Sequence, residues 1–268
     1  MSELLFVGLG LFDEKDLTVR ALEELARCEV LFAEEYTSRW GEGALRRLSD
    51  RLGRAVELLD REHVEEGGKV LAALEGHARV ALLVVGEPFA ATTHVSLRLS
   101  VEEKGHAWRV LHNASILTAA ASLAGLSHYR FGRTVSLPRP VPGFRPTSPY
   151  DLLLANWRAE LHTLVLLDLD PKAGVFLLAG EALQLLAEME REKKGELFLP
   201  DRRVVVVARA GSPTASVHVG RMADLRGKDF GPPLHCLIVP GPSLHFVEEE
   251  ALRRLAPPSS SAPQAPGG

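Results

Sequence analysis

The residues able to take part in chemistry sit in short loops of small side chains. The run Val7–Thr18, VGLGLFDEKDLT, places Gly8 and Gly10 two apart after an apolar stretch, and an acidic turn follows. A phosphate-cradling loop needs Gly, four residues, then Gly-Lys-Ser/Thr, and the chain has no such run. A dinucleotide loop needs a third glycine where this chain carries Asp13, and a carboxylate there repels a pyrophosphate. A plain tight turn is the remaining reading of these glycines. Three more loops share the character: Gly86–His94 (GEPFAATTH), His112–Ile116 (HNASI) and Ala208–Ser212 (ARAGS). No His/Cys cluster has metal-ligand spacing. Cys28 and Cys236 form neither a disulfide framework nor a zinc site and read as buried, small apolar residues.

Strand-like and helix-like runs alternate around these loops. Glu3–Leu9, Val30–Ala33, Arg79–Val85 and Trp108–His112 are apolar enough for buried strands. Leu17–Ala26, with Asp16 as N-cap, reads as a helix, as do Glu42–Leu52, Val64–Leu74 and Thr93–Lys104. This β-α-β-α order predicts a mostly parallel sheet covered by helices. The proline-rich Arg130–Tyr150 segment reads as a linker or crossing, with a possible strand at Thr134–Leu137. Helices follow at Asp151–Glu160, Gly180–Lys193 and Phe246–Leu255. Strands follow at Thr163–Asp168, Arg203–Ala208, Val217–Val219 and Cys236–Val239. The resulting division is an N-terminal α/β lobe over 1–112, a C-terminal α/β lobe over 113–256 and a disordered tail over 257–268. Each small-residue loop follows a strand, where ligands gather in open α/β sheets, so the loops are expected to share one crevice.

Composition narrows the function classes. With 268 residues, 46% of them hydrophobic, the chain suffices for one large domain or two modest ones. The net charge of −4 argues against nucleic acid as partner. The N-terminus MSELLFVG has an early Glu and no basic region, unlike a signal peptide, and no apolar run approaches the roughly 18 residues of a membrane span. A cytoplasmic location, away from membranes, is the expectation.

Taken in order, VGLGLFDEKDLT, FAEEYTS, GEPFAATTH, HNASI, FGRTVSLP, PTSPYD, HTLVLLDLD, VVVVARAGS and FGPPLHCLIVPG resemble the diphthine synthase family, from about residue 3 to 255. The first two loops also resemble the wider tetrapyrrole methylase class. The resemblance implies a two-lobed α/β fold, with a mostly parallel N-terminal sheet and a mixed C-terminal one, and S-adenosyl-L-methionine bound between the lobes. It implies methylation of the amino group of 2-(3-amino-3-carboxypropyl)histidine on translation elongation factor 2, giving diphthine, by a homodimer. Carried over motif by motif, the cofactor residues are Leu11, Glu87, Ala90, Ser115, Ile116, Leu167, Ala210 and His235. The family usually has Asp where this chain has Glu87, which keeps the carboxylate on a longer arm.

Methyl transfer from a sulfonium is an in-line displacement, needing neither metal nor covalent intermediate, but the acceptor amine must shed a proton. His94, His112 and His235 are candidate bases, with loop capping as the alternative for each, and desolvation of the amine makes a dedicated base unnecessary. No catalytic residue is assigned. Glu34–Ser38 reads as a substrate contact or an exposed loop, and Arg130 and Arg133 as a partner contact or a solvated pair. Arg209 reads as a carboxylate grip or a structural ion pair, and Glu188–Lys194 as a solvated helix end. Other functions stay open: a tetrapyrrole methyltransferase of the same fold, a binding module that has lost its chemistry, and, more remotely, a nicotinamide dehydrogenase.

Overall fold

The computed structural model describes residues 2–256, and the expected tail at 257–268 lies outside them. The fold divides into two units. One comprises Met1–Ala119, Leu169–Phe176 and Arg209–Thr214, and the other Ala120–Asp168, Leu177–Ala208 and Ala215 onward.

The first unit begins with β1 (Glu3–Gly8), α1 (Val19–Leu25), β2 (Val30–Glu34), α2 (Ala44–Leu52) and β3 (Glu57–Leu59). It continues with α3 (Arg61–Glu66), α4 (Gly68–Gly76), β4 (Arg79–Val84), α5 (Val95–Glu103) and β5 (Ala107–Leu111). The strands form one sheet, ordered β3-β2-β4-β1-β5, with every pairing parallel. Alternation along a strand explains the unbroken apolar runs, because both faces are covered. Leu5 and Val7 pack with Ala21 and Leu25 of α1 and Ala44 and Leu48 of α2. Leu4 and Phe6 pack with Val64 of α3, Val70 and Leu74 of α4, and Leu97 of α5.

Two local expectations are corrected in this unit. The N-cap of α1 is Thr18, whose side chain accepts from Ala21 N–H, and not Asp16. The expected helix over 64–74 is two helices, because Gly67 takes φ +72° between them and ends α3.

The chain goes on through α6 (Ile116–Ala124), a single 3-10 turn at His128–Arg130, β6 (Val135–Leu137), α7 (Ser148–Arg158) and β7 (Thr163–Leu167). A two-stranded hairpin, β8 (Leu169–Asp170) and β9 (Val175–Phe176), belongs to the first unit. The second unit resumes with α8 (Ala179–Lys193), β10 (Arg203–Ala208), β11 (Ser216–Arg221), α9 (Met222–Leu225), β12 (His235–Val239) and α10 (Phe246–Leu255). Its sheet runs β11-β10-β12-β7-β6, antiparallel except for the parallel β6–β7 pair. Tyr150 and Leu153 of α7, Leu183 and Leu186 of α8, Val204 and Val206 of β10 and Leu237 of β12 share its core.

The segment Glu188–Lys194 is not simply solvated. Met189 is buried, and the Glu190 carboxylate accepts from the Tyr150 hydroxyl at 2.7 Å and from the N–H groups of Glu196, Leu197 and Phe198 at 2.8–2.9 Å. One carboxylate thus fastens α8 to α7 and to the loop leading to β10. Cys28 and Cys236 are free and buried as expected, and burial pushes their thiols up to about 11 and about 12.

Candidate cofactor site

Three loops at the carboxyl ends of β1, β4 and β5 are bonded to one another within the first unit. Gly8 and Gly10 are there because nothing larger fits. A Cβ at Gly8 would lie 2.7 Å from Gly86 O, and one at Gly10, where φ is +79°, would lie 2.5 Å from Asp16 Cβ. Gly10 and Gly86 exchange backbone hydrogen bonds across this close approach. Asp16 Oδ2 accepts from the N–H groups of Leu11 (3.0 Å) and Phe12 (2.7 Å), so this residue folds the glycine loop back on itself instead of capping α1. Asn113 Nδ2 donates to Gly8 O (3.0 Å) and Asp16 O (3.1 Å), which joins the loop after β5 to the loop after β1. The acidic turn is held too: Arg47 grips the buried Glu14 through two nitrogens at 2.9 Å.

Glu87 spans the gap between the loops after β4 and β5. Its Oε1 meets His112 Nδ1 at 2.8 Å and its Oε2 accepts from Asn113 N–H at 3.0 Å. Its carboxylate therefore ends on the neighbouring loop. Ala90 N–H donates to Glu87 O in a tight turn. Ser115 caps α6, its hydroxyl accepting from Leu117 N–H at 3.2 Å, and Ile116 is the first residue of that helix. Next to Ala210, Gly211 lies against Leu11, which a Cβ there would approach to 2.6 Å. Six of the eight expected residues (Leu11, Glu87, Ala90, Ser115, Ile116 and Ala210) thus belong to the first unit and to segments fastened together. Leu167 and His235 are in the second unit, at the end of β7 and the start of β12, both buried.

A carbonyl can only accept, which orients the histidines. His94, 1% exposed, donates from Nδ1 to Pro88 O at 2.8 Å, which leaves Nε2 to accept from the Tyr36 hydroxyl at 3.1 Å. His235 donates from Nε2 to Pro232 O at 3.0 Å and accepts at Nδ1 from Ala179 N–H at 3.2 Å. Both rings spend both nitrogens on the protein. His112 spends Nδ1 on Glu87, and its side chain is 76% exposed.

The other candidates fall out differently. Glu34 is fully buried, its carboxylate accepting from the N–H groups of Tyr36 and Thr37 and from the Thr37 hydroxyl, so it is not an exposed loop residue. Arg130 is not simply solvated: it pairs with the buried Glu248 at 2.6 Å and donates to Ser243 O. Arg133 is exposed. Arg209, at φ +52°, donates from Nε to the carbonyl and hydroxyl oxygens of Thr214 at 3.1 Å.

Comparison with known proteins decides what these loops belong to. The family model of the tetrapyrrole (corrin/porphyrin) methylases matches residues 3–226. The diphthine synthase of Methanosarcina mazei is 44% identical, over 94% of this chain and 96% of its own. That of Methanocella arvoryzae is 39% identical, over 94% and 98%. A solved diphthine synthase structure superposes with TM-score 0.85 at 35% identity, covering 96% of this chain and 97% of the other. The chain belongs to the diphthine synthase family. It is an S-adenosyl-L-methionine-dependent methyltransferase of diphthamide biosynthesis, with the tetrapyrrole methylase fold that the sequence motifs implied.

The donor set suits what a diphthine synthase must hold. Leu11, Ala90, Ser115, Ile116 and Ala210 are small or apolar and only half-buried, and a Cβ at Gly86 would meet only Ala114 O at 3.9 Å, so open space adjoins the loop. Apolar walls, exposed main chain and one carboxylate fit a cationic sulfonium that carries an adenosine. The motifs of the family did not disclose the parts that brace these loops, Asp16, Asn113 and the Tyr36–His94 pair. All four lay inside quoted motifs, but the bonds of Asn113 and of the Tyr36–His94 pair reach residues 58 to 105 positions away, beyond any local pattern. Among the described residues no group of three or more His, Cys, Asp or Glu could hold a metal ion, and no helix is long and apolar enough to cross a membrane.

Proposed function

We propose that the chain methylates the amino group of the 2-(3-amino-3-carboxypropyl)histidine of translation elongation factor 2 to diphthine. The observation that carries this reading is likeness along 94% of the chain to diphthine synthases. S-adenosyl-L-methionine, when bound, supplies the methyl group and the leaving group. Leu11, Glu87, Ala90, Ser115, Ile116 and Ala210, with Leu167 and His235, are the residues proposed to hold it. In this reading the chain contributes mainly position. The bonds among Gly10, Asp16, Glu87 and Asn113 keep the loops from rearranging, so the acceptor nitrogen meets a fixed target. His94 and His235 hold loops through both ring nitrogens, which favours loss of the amine proton by desolvation and transfer to water over a dedicated histidine base. On the family resemblance the chain acts as a homodimer in the cytoplasm. Transfer of isotope-labelled methyl to elongation factor 2 bearing the unmethylated side chain, with a tetrapyrrole precursor as competitor, tests the substrate. Label on the protein supports the reading, and label on the tetrapyrrole overturns it.

A further inference from the structure

The loop Gly86–His94 contains a closed set of hydrogen bonds that the proposed chemistry does not use. Pro88 O accepts from His94 Nδ1 at 2.8 Å and from the Thr92 hydroxyl at 3.3 Å, and that hydroxyl accepts from His94 N–H at 3.1 Å. Inside this ring Ala91 is left-handed, φ +57°, a conformation a side chain adopts only when its surroundings enforce it. Ala90 and Glu87, from the proposed cofactor set, close the turn immediately before it. On its apolar side the loop is pinned by Phe89, whose ring packs 4.9 Å from Phe6 and 6.5 Å from Trp108.

Outside the loop, Tyr36 anchors this ring, donating to His94 Nε2 at 3.1 Å. Tyr36 is itself fixed. The buried Glu34 carboxylate takes the N–H groups of Tyr36 and Thr37 at 3.1 Å, and the Arg61 guanidinium lies 5.2 Å over the Tyr36 ring. Burial pushes the phenol up to about 12, so it remains a donor through the neutral range. A continuous chain thus runs from the end of β2 to the turn after β4, two strands that are neighbours in the sheet.

We propose that Tyr36 and His94 are positioning residues for methyl transfer, their hydrogen-bonded chain setting the Glu87–Ala90 turn in the conformation that the methyl donor requires. The proposal rests on the cofactor reading of Glu87 and Ala90. Neither side chain exchanges a proton with substrate in this role, because both His94 nitrogens are taken and the Tyr36 hydroxyl is committed to one of them.

Tyr36→Phe in the full chain is the test, since it removes one oxygen and keeps the ring under Arg61. Amide exchange in residues 86–94 of the ligand-free protein should speed up. S-adenosyl-L-methionine should bind about tenfold more weakly by calorimetry, with KM rising in step, because a buried acceptor loses its donor. At saturating donor, kcat should stay within about twofold and its pH profile should keep its shape. His94→Asn, which still offers an N–H to Pro88 O, should retain more affinity than His94→Ala. Unchanged exchange and affinity in Tyr36→Phe would overturn the proposal. So would normal affinity with a lost limb of the kcat–pH profile, which would make the pair part of a proton path. Wild-type protein that binds no S-adenosyl-L-methionine would sink the cofactor reading, and the exchange measurement would still decide the role of the chain.

Discussion

At the scale of single residues, the site is made of close approaches that tolerate no extra atoms. Gly10→Ala should be severe, because the new Cβ falls 2.5 Å from Asp16 Cβ at a backbone φ of +79°. Moving Asp16 releases the Leu11 and Phe12 N–H groups, and left-handed alanine adds its own strain. The summed loss is about 2–4 kcal/mol of stability together with loss of cofactor binding. Urea unfolding and calorimetry check it, and a variant within about 0.5 kcal/mol of wild type, outside which surface changes seldom fall, would contradict it. The glycines were legible in the sequence as a tight turn, and Glu87 as a carboxylate on a longer arm, but the close approach of Gly8 and Gly10 to neighbouring loops was not. The destination of that arm, His112 Nδ1 and Asn113 N–H, was not, because it lies 25 and 26 residues away on another strand end. Asp16 was misread for a related reason. Its type suits a helix cap, but its acceptor is claimed first by the turn just before it.

Elements were most legible where two faces of a strand are both buried. ELLFVG and RVALLV read as strands from the letters alone and became β1 and β4 at the centre of the parallel sheet. Short pieces were not: β3, β8 and β9 have two or three residues each, too few for a period to show. The split between α3 and α4 was written in EEGGK, but an apolar repeat spanning it outweighed the glycines. Gly67→Ala should cost about 1–2 kcal/mol, since φ is +72° and the Cβ would lie 2.9 Å from Leu97 Cδ1. Gly68→Ala beside it, with nothing within 4 Å of its Cβ, should instead be neutral or stabilise by about 0.5 kcal/mol. Equal effects from the two substitutions would show that Gly67 does not impose the break.

At the scale of the whole molecule, two sheets of different character serve one chain. The parallel sheet followed from the β-α alternation. The return of Leu169–Phe176 and Arg209–Thr214 to the first unit did not, because no local pattern encodes where a segment goes after leaving its neighbours. In the second unit a buried carboxylate joins three elements. Glu248 accepts from Ser127 and His245 N–H, pairs with Arg130 and takes a proton bond from His162, joining α10 to the 3-10 turn and to the start of β7. Burial alone would raise its pKa, but these hydrogen bonds prevail and bring it from an ordinary 4.5 down to about 2. A depressed carboxylate stabilises the fold above its unfolded value and loses that contribution as the pH falls through its folded one. Glu248→Gln should therefore be less stable than wild type at pH 7, by about 2–3 kcal/mol. The gap should narrow as the pH drops from about 4.5 toward 2. Burial lowers the pKa of His162 while the Glu248 carboxylate beside it raises it. Glu248→Gln therefore depresses His162 further, and the variant loses more stability than wild type as the pH first falls below 6.5. A gap that fails to narrow between about 4.5 and 2 would contradict the assignment.

The central claim is that this fold methylates one amine on a protein, and it is tested most directly by mass. Elongation factor 2 bearing unmethylated aminocarboxypropyl-histidine is incubated with the chain and S-adenosyl-L-methionine, and the modified peptide is weighed intact. The account predicts three methyl increments, the count that a trimethylammonium requires, all stable to mild alkali. An unchanged mass, with cofactor binding shown separately, would contradict it.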